Sequence, residues 1–170
     1  MGTYGYISII AMLCYGFMLL MFLTAKRNKI INSFLVVLTG LLFWTGGSAF
    51  MRAQLWPGCE FWYQVSLLGI LLLPYAYYRF ILAFGGVRNG SAGRIYLVTM
   101  LICFWVNAQF GVFLESPKMI EKRGVQTFVY EINPSIIVFF IPAGLFLIHL
   151  FVILVRICKE NPTMKVQYEP

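Results

Sequence analysis

The chain has 170 residues, of which 61% are hydrophobic and 18% aromatic while only 11% are charged, and its mean hydropathy is +0.82. Soluble domains carry roughly a quarter charged residues, and a water-soluble domain of this length has no interior able to bury so much apolar sequence, so lipid must solvate much of the surface. The net charge of +7 does not point to nucleic acid, because the basic residues are sorted between loops as a membrane topology signal sorts them.

Five apolar stretches at 5–25, 30–51, 62–84, 95–114 and 135–155 each approach the ~20 residues that cross a ~30 Å hydrocarbon core. They predict an all-α, polytopic transmembrane bundle of five helices, a single domain over 1–160, followed by 161–170 as a cytoplasmic tail or the start of a further loop. No basic residue precedes the first stretch, which therefore reads as a retained helix rather than a cleaved signal peptide. The loop after it holds Lys26, Arg27 and Lys29, the loop after the third stretch holds Arg88 and Arg94, and the tail holds Arg156, Lys159 and Lys165. Against these eight, the other two loops hold four, Arg52, Lys118, Lys122 and Arg123, offset by Glu60, Glu115, Glu121 and Glu131. Positive loops stay in the cytoplasm, so the expected topology is N-out, C-in in the inner (plasma) membrane, with the basic clusters on anionic lipid.

Small residues recur every seven positions in the second stretch, at Ser33, Gly40 and Gly47, and in the third, at Gly69, Ala76 and Ala83. Seven residues are nearly two helical turns, so each set makes a seam along one face and the two helices are expected to pack together. Pro74 and Pro142 lie inside the third and fifth stretches; each removes a backbone donor and crowds the carbonyl four residues earlier, favouring a kink. Arg79 lies near the cytoplasmic end of its helix, where its side chain can snorkel to the headgroups. In the fourth stretch Asn107 and Gln109 approach Glu115, and they either line an outward-facing pocket or bond to neighbouring helices. Residues 125–130 alternate behind Glu121-Lys122-Arg123-Gly124, which predicts a short outer β-hairpin at about 118–131 with that tetrapeptide as its turn. Trp44, Trp62 and Glu131 complete the candidate ligand-binding set with Asn107, Gln109 and Glu115; Trp62 either anchors the interface or walls the pocket. His149, the only histidine, is expected to hydrogen-bond a neighbouring helix rather than hold a metal.

Catalytic patterns are missing from the sequence. It contains no Asp and no phosphate-binding or dinucleotide glycine fingerprint, and its cysteines have no metal-ligand spacing, so neither an enzyme nor a cofactor or metal site is expected.

Phe61-Trp62, Leu68-Gly69, Pro74, Phe80 and Phe84-Gly85 resemble, in order and spacing, the third helix of the seven-helix N-terminal sensor region of bacterial histidine kinases and related diguanylate cyclases. Asn32 at the start of the second helix, Trp44 in its middle, and Gly124 followed by Phe128-Val129-Tyr130 are similar to that pattern too. Arg79 departs from it, standing where an apolar residue is more usual. The chain also shows five helices where the family has seven and then an output domain. The resemblance implies a membrane input module that detects an outer or intramembrane cue, an unknown small ligand, and relays it to a cytoplasmic kinase or cyclase lying outside these residues. Since such kinases and cyclases generally act as dimers, it also implies a homodimer. The alternative is a small self-standing transporter or transport subunit. Five spans do not divide into two matched inverted halves, and no acidic residue lies in the hydrocarbon zone, both of which weigh against it.

Overall fold

The computed structural model describes residues 3–87, 90–115, 117–122, 125–129 and 133–160. Five helices follow in order: α1 (Thr3–Leu23), α2 (Lys29–Arg52), α3 (Cys59–Phe84), α4 (Ser91–Phe110) and α5 (Ile137–Glu160). All five are long and apolar enough to cross a bilayer, so the chain is a multi-pass membrane protein whose helices satisfy most of their backbone groups within each span.

Local chemistry sets the helix ends. The Asn28 side chain accepts the Ile31 amide at 2.7 Å, capping α2 just after the Lys26-Arg27 pair. The apolar run of the fourth stretch continues to Leu114, yet α4 stops at Phe110 because Gly111 takes φ 59° and returns its amide to the Asn107 carbonyl at 2.8 Å. A single 3-10 turn, Pro134–Ile136, replaces the expected start of the fifth helix at Ser135, and α5 then runs on to Glu160.

Neighbouring helices alternate in direction. Ser8 and Ser48 meet at 3.4 Å at one end of the α1–α2 pair, and Phe22 and Phe34 pack edge-on, ring centres 4.9 Å apart, at the other. α2 lies between α1 and α3, and α3 in turn contacts α4 and α5. Between α2 and α3 the contact is backbone on backbone. A methyl group on Gly47 would lie 2.6 Å from the Ser66 amide nitrogen and 2.8 Å from the Trp62 carbonyl oxygen. One on Gly69 would strike the Trp44 nitrogen and lie 2.9 Å from the Gly40 oxygen. Only glycine admits such an approach, and the Ser66 hydroxyl uses it to donate to the Trp44 carbonyl at 2.9 Å. Ser33, Gly40 and Gly47 on α2 and Gly69 and Ala76 on α3 are buried, while Ala83 is half-buried.

The hairpin joins α4 to α5 at the end where α2 meets α3. Its strands, β1 (Lys118–Lys122) and β2 (Val125–Val129), pair antiparallel, with Lys118 opposite Val129 and Lys122 opposite Val125. Glu121 and Lys122 therefore belong to β1 rather than to the expected turn, and residues 123–124 and 130–131 lie outside the described residues. The Arg52 guanidinium sits 5.7 Å from the centre of the Phe128 ring, laying the hairpin against the end of α2.

Candidate functional site

At the hairpin end most of the sequence-predicted site residues that the structure describes have local roles. Asn107, only 2% exposed, accepts the amides of Phe113 and Leu114 at 3.0 and 2.9 Å through Oδ1 and donates to the Leu114 carbonyl at 3.1 Å through Nδ2. Its side chain thereby closes the turn that Gly111 opens, supplying partners that the ended helix no longer provides. The Tyr63 hydroxyl donates to the same Leu114 carbonyl at 3.5 Å, tying α3 to that turn. Gln109 is exposed, and Glu115 forms an exposed ion pair with Lys118 at 3.5 Å. Trp62 packs edge-on against Phe50 and Phe61, with ring centres at 4.7 and 5.1 Å. Its indole donates to the Leu55 and Trp56 carbonyls at 3.1 and 3.3 Å. Trp44 belongs to the α2–α3 seam, and Glu131 lies outside the described residues. Among the described residues, cavities at the opposite end of α2–α3 and around α5 are lined by other residues. Two buried polar atoms at this end, Arg52 Nε and Gln64 Oε1, have no partner among the described residues.

A different constellation lies between α3, α4 and α5. Tyr78, Leu82, Tyr96, Met100 and Phe146 are the centre of a buried aromatic cluster that Phe113 and Phe139 extend toward the hairpin. The rings of Tyr96 and Phe146 stack at 4.1 Å and 11°, Tyr78 meets Phe146 at 5.3 Å, and His149 stacks along Tyr78 at 6.4 Å. Ring contacts with Tyr78 and Phe146, rather than the expected hydrogen bond, are what His149 makes among the described residues.

Polar groups fix the two tyrosines. The Tyr96 hydroxyl donates to the Leu71 carbonyl at 3.3 Å, beside the Ile70 carbonyl that loses its helical partner at Pro74. The Tyr78 hydroxyl accepts the Gly90 amide at 3.3 Å, and its ring lies so close over Gly93 that no side chain fits there. Beside the cluster, a groove of about 330 Å³ opens between α4 and α5, lined by Tyr96, Thr99, Pro142, Leu145, Phe146 and His149. A second gap of about 200 Å³ separates α5 from α3 near Phe80, Phe84 and Ile157. The groove presents a mostly apolar wall with a hydroxyl and an imidazole, the composition that holds an amphipathic small molecule with one polar group.

Of this groove, only Pro142 and His149 stand out in the sequence. Tyr96, Thr99 and Phe146 do not, and Tyr96, the sixth residue of α4, sits near a span end where tyrosine is usual. The family model for the N-terminal 7TM region of histidine kinase matches residues 7–168. No match emerges among the curated proteins or the solved structures.

Proposed function

Because this chain belongs to the family of N-terminal 7TM regions of histidine kinases, and so is a membrane sensory input region, we propose that it detects an amphipathic cue in the α4–α5 groove and relays it by displacing α5. The supporting observation is the position of α5, which borders two gaps and meets α3 and α4 through side chains, while α3 is held to α2 by backbone contact. A molecule that fits the groove in only one position of α5 shifts the population by its affinity ratio, tenfold for about 1.4 kcal/mol. The receiver is a histidine kinase catalytic region on the cytoplasmic side. The polar and aromatic lining supports the ligand class, and the apolar opening supports entry from the bilayer.

The test joins these 170 residues to a histidine kinase catalytic core and follows autophosphorylation in liposomes. Thr99→Phe, which fills the groove, is expected to change basal activity severalfold, and Leu101→Phe, exposed on the opposite face of the same helix, to leave it unchanged. Equal responses from the two variants would remove the groove from the signalling path.

Loop charge supports the N-out, C-in orientation, which places the hairpin outside and the α5 terminus with Arg156 and Lys159 inside. Reporter fusions after Lys29 and Gly90 are expected to read as cytoplasmic and those after Gly58 and Gly124 as external. An internal Gly124 fusion inverts the assignment.

A further inference from the structure

At the end opposite the hairpin, the first turn of α2 and the last turns of α3 diverge around a cleft of about 590 Å³ lined by Lys29, Asn32, Ser33, Arg79, Leu82 and Val87. Two cations share this concavity. Arg79 is half-buried on the inner part of a span and Lys29 stands exposed at the rim. A guanidinium held partly out of water at membrane depth needs a counter-charge or hydrogen-bond acceptors. The ion pair of Lys118 with Glu115 belongs to the hairpin end. Glu60, Glu115 and Glu121 lie in or beside the loops of that end, and among the described residues none that lines the cleft is acidic.

Of the polar neighbours of the two cations, Asn32 adds a donor and Ser33 does not. Ser33 gives its hydroxyl to the Lys29 carbonyl at 2.8 Å. Asn32 accepts Arg27 Nη1 at 3.4 Å through Oδ1, so its amide nitrogen remains to donate. A planar guanidinium, an ammonium and an amide nitrogen around one concave space suit an oxyanion of phosphate type, which accepts several charge-assisted bonds at once.

We propose that this cleft is a phosphate-binding site in which Arg79 and Lys29 carry the charge interaction and Asn32 donates to a phosphate oxygen. The phosphate comes either from the headgroup of an anionic lipid in the adjoining leaflet or from a soluble phosphate. The site is independent of the α4–α5 groove and of the sensory reading.

The experiment uses the full chain in phosphatidylcholine nanodiscs, with phosphatidylglycerol titrated in one arm and inorganic phosphate in the other. Lipid binding is read by native mass spectrometry and phosphate binding by calorimetry. Arg79→Gln and Lys29→Gln are each expected to weaken phosphatidylglycerol binding about fivefold, the size of one basic contact with an anionic membrane. Arg94→Gln, in the first turn of α4 and outside the cleft, is expected to leave it unchanged. Lys29 is exposed, so its variant carries the test should the Arg79 variant fail to fold. Binding of phosphatidylglycerol alone assigns the lipid headgroup, and Arg79-dependent binding of inorganic phosphate assigns a soluble source. Unaltered binding in the Arg79 and Lys29 variants, an equal loss in the Arg94 variant, or phosphatidylcholine retained as well as phosphatidylglycerol would each overturn the site.

Discussion

α3 is gripped differently on its two faces. Toward α2 it offers Gly69 and Ser66, and the main chains touch with no side chain between them. Toward α4 and α5 it offers Tyr78 and Leu82, and aromatic rings fill the space incompletely, leaving the groove and the second gap. Backbone contact has one geometry, because main chains cannot change rotamer. Ring contact has several, since side chains can repack around a cavity. The α2–α3 pair is therefore suited to be the fixed frame, and α5 the element whose position a ligand biases.

The largest expected effect comes from breaking the frame. Gly47→Leu drives a side chain into the Ser66 and Trp62 backbone, which cannot move aside without separating the helices. The expected loss of stability is about 3 kcal/mol, the upper part of the usual overpacking range. It is measured by denaturant titration of the detergent-solubilised chain, and an unchanged midpoint would show that α2 and α3 are not in backbone contact.

A smaller loss is expected from Asn107→Leu. The side chain keeps its branched shape but loses all three bonds to the turn after α4, leaving the Phe113 and Leu114 amides unpaired. A loss of about 2 kcal/mol follows from net hydrogen-bond values and the desolvation of the orphaned donors. Unlike Gly47→Leu, it should loosen the α4 end and the hairpin while leaving α2–α3 intact. Hydrogen exchange should then quicken in 111–115 and remain slow in α2. Uniform acceleration through both regions would dissolve the distinction between the two faces of α3.

What the sequence reveals follows the same division. The five spans are visible because each must be apolar over its whole length, and the seven-residue spacing of Gly40 and Gly47 is visible because small residues interrupt an otherwise bulky pattern. The end of α4 is misplaced by hydropathy, since Val112, Phe113 and Leu114 extend the apolar run beyond a break that Gly111 and Asn107 make through backbone geometry. Asn107 stands out as polar, but its partners six and seven residues away depend on that break. The groove is hidden for another reason. In a span apolar on every face, periodicity does not say which side meets a neighbour, and Tyr96, Phe146 and His149 come together only once three helices are assembled.

The smallest effect has the opposite sign and puts the comparison to its sharpest test. Gly144 lies in the middle of α5, and a methyl group added there meets nothing within 4 Å. Alanine costs less conformational entropy in a helix, so Gly144→Ala is expected to stabilise the chain by about 0.5–1 kcal/mol. The same substitution at Gly47 places a methyl group 2.6 Å from a backbone nitrogen and is expected to destabilise. Both variants add one methyl to a glycine inside a span, so propensity and hydrophobicity change alike and only the surroundings differ. Denaturant midpoints that move in opposite directions would locate the rigid contact at α2–α3 and the free space around α5. Two shifts of the same sign would mean that α5 has no more room at Gly144 than α2 has at Gly47, and the contrast between the closely packed and the loosely packed helix would fail.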